Sequence, residues 1–370
     1  MSLVRPFEAA DAEAVASLFQ RMLRKLRAPA PAALTAYIRD FYLETPERGD
    51  GIASLVHVDD TGRISGFVGV HALPMILDGR PLRAAVCGSL MADGRDRDPM
   101  AGARLLKAFV DGPQDLSFSE TANAVSARLW TRLRGVVLPQ YSLDWVRVIR
   151  PAGFAIELAA GRAGPLRLLK PAAAAFDGLL RRSLKPGDRR WAVAREGEPA
   201  KAAHASEIDS AGFASLLELL SAQFALRPAW RDMPLERMLA DAAARPDLGA
   251  LVFSRVETPN GAVTGAFAYH ARAGRIGRVL QVLARPGQAG AVMDSLVDDA
   301  ARRGLCGLRG RTQPALLEAM LTRKLAFVPV ASSVVHARDA GILHALKTQQ
   351  AFLNGLAGEN WSRLIGGRFD

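Results

Sequence analysis

The sequence predicts an α/β protein made of two tandem copies of one domain, each a mixed, mostly antiparallel sheet flanked by helices. Two echoes along the chain carry that expectation. Gly51 to Ala72 reads GIASLVHVDDTGRISGFVGVHA and Gly249 to Ala271 reads GALVFSRVETPNGAVTGAFAYHA, so Gly62/Gly261, Gly66/Gly265 and His71/His270 keep one constant offset. Further on, RDPMAGA from Arg97 and RPGQAGA from Arg285 each open an apolar helical stretch at a shorter offset, which locates an insertion of eleven residues in the first copy around Leu73 to Leu82. Self-similarity at a long period is the mark of a duplicated unit. A chain of 370 residues holds two domains of about 150 residues and a connector. The expected division is 1–150, a basic Ala/Pro-rich connector over 151–203, and 204–370.

Each element follows from local pattern. Glu8 to Asp11 offers a helix start, and Val15, Leu18, Phe19, Met22 and Leu23 then recur at helical spacing. Leu34, Tyr37, Ile38, Phe41 and Tyr42 make a second amphipathic helix. The β-branched runs 53–58 and 64–71 flank a turn at 59–63 as an antiparallel hairpin, and the second copy places Asn260-Gly261 at the same turn. A third strand over 83–91, a helix over 99–110, a strand at 116–119, a helix over 123–133 and a last strand at 143–149 complete the copy. The same order is expected over 205–338, with one helix, 172–184, in the connector.

Composition narrows the function classes. With 49% hydrophobic and 23% charged residues the profile is that of a globular protein, and no uncharged apolar run approaches the roughly 18 residues that span a bilayer. The opening MSLVRPFEAADAEAV lacks the apolar core of a signal peptide, and two cysteines, Cys87 and Cys306, cannot build a framework of bridges. A cytoplasmic location is therefore expected. The net charge of +11 comes from scattered Arg and Lys with only 6% aromatic residues, so no nucleic-acid platform is read from it. It points instead to an anionic partner, such as a phosphate-bearing cofactor, an anionic sugar nucleotide or an acidic membrane surface. Peripheral membrane contact through the basic connector helix is not favoured, because its apolar face is short.

Two motifs carry chemistry. Arg97-Asp98-Pro99-Met100-Ala101-Gly102 leads from the third strand into the apolar helix, whose first turn presents free N–H groups and a positive dipole end to an anion. Downstream, Asn123-Ala-Val-Ser126-Ala-Arg-Leu129-Trp130 follows Phe118-Ser-Glu-Thr121. In this order the segments resemble the R/Q-x-x-G-x-G/A and N-x-x-A/S-x-x-L-Y motifs of the GNAT (acyl-CoA N-acyltransferase) superfamily, in a tandem-domain member. The resemblance implies acetyl-CoA or another acyl-CoA as co-substrate, no metal, and transfer of the acyl group to an amine of a small-molecule or glycan-precursor substrate. It also implies a coenzyme site formed by Arg97, Met100, Ala101, Gly102, Ala103, Asn123, Ser126 and Trp130.

The departures are specific. Met100 stands at the first Gly of the loop, Asp98 can compete with phosphate for the helix N–H groups, and Trp130 replaces a Tyr with an indole that cannot act as an acid near neutral pH. The second copy has Gln288, Ala315 and Thr322 where the motifs place Gly, Asn and Tyr, so coenzyme binding is expected in the first copy. Glu120, at the end of the strand 116–119, is the candidate acceptor for the amine proton, against a solvated strand-end carboxylate. His71 and His270 end equivalent strands, which suits a base or a shared structural role. Cys87 reads as a small hydrophobe, and Tyr141 and Trp145 as aromatic packing or as the wall of an acceptor site. Two rivals remain beside the acyltransferase: a Fem-type aminoacyl transferase using aminoacyl-tRNA, and a non-catalytic scaffold of the same fold.

Overall fold

The computed structural model describes residues 2–43, 51–93, 98–161, 164–183 and 203–369. A short strand, β1 (Leu3–Pro6), precedes the helices α1 (Ala12–Met22) and α2 (Ala32–Leu43). Then come β2 (Leu55–Val58), β3 (Ile64–Leu77), β4 (Arg80–Ala92), α3 (Ala101–Val110), β5 (Leu116–Ala122), α4 (Ala124–Arg132), β6 (Val136–Val137) and β7 (Leu143–Val148). The connector carries α5 (Pro151–Ala160) and α6 (Lys170–Ser183). One connector helix was expected and two are present; Pro151 in the first turn of α5 starts the additional one at a position where a missing N–H costs nothing.

The second half repeats the order: β8 (His204–Ile208), α7 (Ser210–Ser221), β9 (Leu226–Pro228), α8 (Leu235–Ala243), β10 (Ala250–Glu257), β11 (Val263–Ala271), β12 (Ile276–Ala284), α9 (Ala289–Arg302), β13 (Gly307–Arg311), α10 (Leu317–Thr322), β14 (Ala326–Pro329), β15 (Ser332–Ala337) and α11 (Ala340–Lys347). The two hairpins that echo in sequence are equivalent. β2 and β3 pair antiparallel, as do β10 and β11, and each turn places its glycine, Gly62 or Gly261, at φ +83°, a left-handed conformation that glycine adopts without steric cost.

Sheet membership does not follow the repeat. The first sheet runs β1-β2-β3-β4-β5-β15-β6 and the second β14-β7-β13-β12-β11-β10-β8. Each half thus sends a strand into the other's sheet. β7 lies antiparallel between β13 and β14, where Trp145 opposes Gly310 and Phe327, while β15 lies between β5 and β6. The expected last strand of the first copy is present, but it closes the opposite sheet.

The insertion prolongs the β3–β4 hairpin around Asp78-Gly79, and β9 from the second half pairs onto it through Met75↔Pro228 and Leu77↔Leu226. One core spans the halves: Leu18 and Ile38 of α1 and α2 cluster with Leu217 and Met238 of α7 and α8 and with Trp361 and Phe369 near the C-terminus. No helix among the described residues is long and apolar enough to cross a membrane.

Candidate functional site

The parallel strands β4 and β5 pair only over Ala84–Val86 and Leu116–Phe118, and beyond that they part. A bulge assists the splay: the β3–β4 register shifts between Phe67↔Met91 and Gly69↔Gly88, with Ser89 at φ 52°. β12 and β13 splay in the same way past Val279↔Gly310.

The C-terminal segment 354–361 crosses both openings. At the second, Asn354 Nδ2 donates to the Thr312 carbonyl (2.9 Å) and the Leu356 N–H to Gln281 Oε1 (3.1 Å). At the first, the N–H groups of Glu359 and Asn360 donate to Glu120 Oε1 at 2.5 and 3.1 Å, and the Thr121 hydroxyl donates to Glu359 Oε1 at 2.5 Å. Glu120 is 1% exposed and Glu359 5%. Glu120 Oε2 has no hydrogen-bond partner among the described residues. Burial raises the pKa of both carboxyls, and that of Glu359 is pushed up to about 8 with added repulsion from Glu120. Arg311 opposes the shift, yet its guanidinium is committed elsewhere, to the Glu120 carbonyl at 2.7 Å, the Ala331 carbonyl at 2.8 Å and Asp144.

His71 is buried beside Phe41 and Trp361, and burial lowers its pKa to about 4, so the ring is neutral at pH 7. Its Nε2 has no partner among the described residues, and the ring lines a small pocket with Met233, Arg237 and Trp361. His270 differs: its Nε2 is 2.9 Å from the Ala242 carbonyl. The repeat therefore preserved the residue and not its surroundings.

The remaining expected residues fall as follows. Arg97 lies outside the described residues. Met100 is 56% exposed, Ala101 is fully buried, and Gly102 and Ala103 are half-buried in the first turn of α3. Asp98 does occupy that helix end: Oδ1 accepts from the Met100 N–H at 3.1 Å, Oδ2 pairs with Arg104, and His57 Nε2 lies 3.2 Å away. Asn123 is exposed and caps α4, accepting from the N–H groups of Val125 (3.0 Å) and Ser126 (2.9 Å). Ser126 is half-buried, and Trp130 is fully buried, packed edge-on to Phe109 with its N–H unpartnered among the described residues. Cys87 is buried, which raises its thiol pKa, and Tyr141 and Trp145 are packed in cores with the Tyr141 hydroxyl donating to the Ala351 carbonyl.

Two features escaped the sequence reading. Glu359 sits in the aperiodic run Gly355-Leu-Ala-Gly358-Glu-Asn360, where only the paired glycines hint at close contact. The second is an open groove in the second half, lined by Val282–Ala284, the Arg285–Gly287 loop, Gln313 and Ala351–Leu353. Beside the start of α9, Arg323 reaches across Gly290, held by Asp294 at 2.7 to 2.8 Å.

No family model matches the sequence, and no curated protein matches it. Solved structures do. A protein of Enterococcus faecalis described as a probable N-acyltransferase aligns with TM-score 0.55 at 10% identity, over 91% of this chain and 73% of its own. GCN5-related N-acetyltransferases from Kribbella flavida (0.52, 12% identity, 92% and 72% covered) and Anabaena variabilis (0.57, 9%, 92% and 74%) align likewise. Together with two mixed sheets, each splayed between its parallel strands, these likenesses assign the chain the GCN5-related N-acetyltransferase (GNAT) fold, in tandem.

Proposed function

We propose that the protein is an acyltransferase that moves an acetyl or other acyl group from an acyl-coenzyme A to an amine of a small molecule or glycan precursor, with the reaction at the first splay. The observation that carries this reading is Glu120: a fully buried carboxylate with one oxygen unpartnered among the described residues, at the point where β4 and β5 separate. Amide formation from a thioester needs proximity, a donor for the developing oxyanion and a proton acceptor. The bulged backbone of β4, unpaired toward β5, supplies candidate donors, and the buried acidic lining at Glu120 marks where the acceptor lies. The first turn of α3, with Gly102 and Ala103, suits the coenzyme phosphates once Asp98 is displaced; an added Cβ at Gly102 meets only Ala92, at 3.6 Å. Two buried, unbridged cysteines accord with a reducing cytoplasm.

A second reading has its own observation. The open groove in the second half, with the Arg285–Gly287 loop and the Arg323 guanidinium at the α9 N-terminus, favours coenzyme binding there. Calorimetric titration with acetyl-CoA, followed by thiol release across amino sugars, amino acids and polyamines, tests the function. Binding with acceptor-dependent thiol release supports it, and silence in both overturns it.

A further inference from the structure

Glu359 is a second carboxyl at the same opening, and nothing in the acyl-transfer reading so far requires it. It arrives from 239 residues away from Glu120 in sequence, and the sheet is shaped to receive it. Gly69 and Gly88 oppose each other on β3 and β4; Tyr42 lies over Gly69, and a Cβ at Gly88 would come within 2.6 Å of Glu359 Oε2. Gly358 is pressed just as closely on Glu120, with no room for a side chain. Among the described residues no salt bridge reaches either carboxylate. Two buried acids with no ion-pair partner among the described residues, Arg311 and Arg278 acting on them only through space, are a costly way to fasten a segment, since amides or apolar side chains would do so with less desolvation. The reaction, by contrast, lacks a proton donor for its leaving thiolate, because Trp130 is an indole enclosed in the core.

We propose that Glu359 is the proton carrier of acyl transfer at the first splay, and that Glu120 is its positioning residue, holding the C-terminal segment by the N–H groups of Glu359 and Asn360. The proposal rests on the acyl-transfer reading above. In the step it assigns, the amine nitrogen bonds to the thioester carbonyl carbon and the carbon–sulfur bond breaks. The amine proton passes to the Glu359 carboxylate and from there to the thiolate, giving an amide and a free thiol with no further reactant. A carboxyl poised near neutrality can do both. The groups that set its charge are Glu120 and Thr121 from β5 and Arg311 from β13, with Arg278 from β12 acting through Glu120; Tyr42 from α2 and Cys87 from β4 also face it, and burial and its charge raise the pKa of both. Next to it, His71 hydrogen-bonds the Gly358 backbone.

The test compares wild type with Glu359→Gln, Glu359→Asp and Glu120→Gln, each checked by circular dichroism for a retained fold. Glu359→Gln should lower kcat about 100-fold or more while the Kd for acetyl-CoA changes less than twofold, and should abolish the ascending limb of the pH profile of kcat/KM. Glu359→Asp should keep measurable turnover, and Glu120→Gln should move that limb without removing it. Infrared difference spectra should show a protonated carboxyl band that titrates near neutral pH in wild type and is missing from Glu359→Gln. Unchanged turnover and pH profile in Glu359→Gln, or no such band in wild type, overturns the assignment. A wild type that binds no coenzyme and releases no thiol while showing the band is a failure of the acyl-transfer reading itself, and the proton-carrier role falls with it.

Discussion

Gly69 and Gly88 stand in register on neighbouring strands of the first sheet, and the space their missing side chains leave is taken by Tyr42 and the carboxylate of Glu359. A methyl at position 88 has nowhere to go without moving that carboxylate. Gly88→Ala should cost about 1–3 kcal/mol, the usual penalty for overpacking, and should lower turnover further than the stability loss explains. Urea unfolding and thiol release on the same preparation check this; a variant as stable and active as wild type would show that the segment yields freely.

The same pair of acids predicts a pH dependence of stability. The carboxyl of Glu359 has its folded-state pKa raised from the ordinary 4.5 to about 8, so between those values the folded protein holds a proton that the unfolded chain has released. Its contribution is fully present below about pH 4.5 and is lost as pH rises toward 8, and Glu120, also raised, acts in the same sense. Glu359→Gln should therefore gain stability relative to wild type as pH increases from 5 to 9. Chemical unfolding across that range measures the difference, and a constant difference refutes the shift.

Asn123 has a structural duty that can be separated from any coenzyme contact. It accepts from two N–H groups at the start of α4, so Asn123→Ala should lower stability by about 1 kcal/mol, and Asn123→Ser should restore most of it. If coenzyme affinity falls in the Ala variant and recovers with Ser, capping explains the loss; affinity lost in both marks a direct contact. Thermal melts and calorimetry together decide.

Coenzyme placement is open to a paired substitution. Gly102→Glu puts a carboxylate at the first turn of α3 and should weaken acetyl-CoA binding at least tenfold, while Gly290→Glu should leave it unchanged. The reverse outcome, read by the same titration, would place the coenzyme in the groove of the second half beside Arg323.

The crossed strands predict that neither half folds alone. A fragment 1–150 lacks β15, leaving β5 an open edge, and a fragment 204–370 lacks β7, which separates β13 from β14. Each fragment should show little cooperative unfolding by itself, and the two co-expressed should associate. A monomeric, cooperatively melting 1–150 fragment would contradict this.

The sequence by itself determined the duplication, the matched hairpins with glycines at the same turn, the order of elements and a strand leading to Glu120, which the structure prolongs to Ala122. These are local properties, set by periodicity, turn chemistry and spacing within some twenty residues. Tertiary structure alone decided which sheet each strand joins, because strands as short as β7 and β15 carry no local mark of their partners and only long-range pairing chooses between them. It also decided that an aperiodic C-terminal run lies across both openings, bringing Glu359 to Glu120, and that His71 and His270, equal in the repeat, occupy unlike surroundings. Contacts made across more than two hundred residues leave no trace in the spacing of either partner.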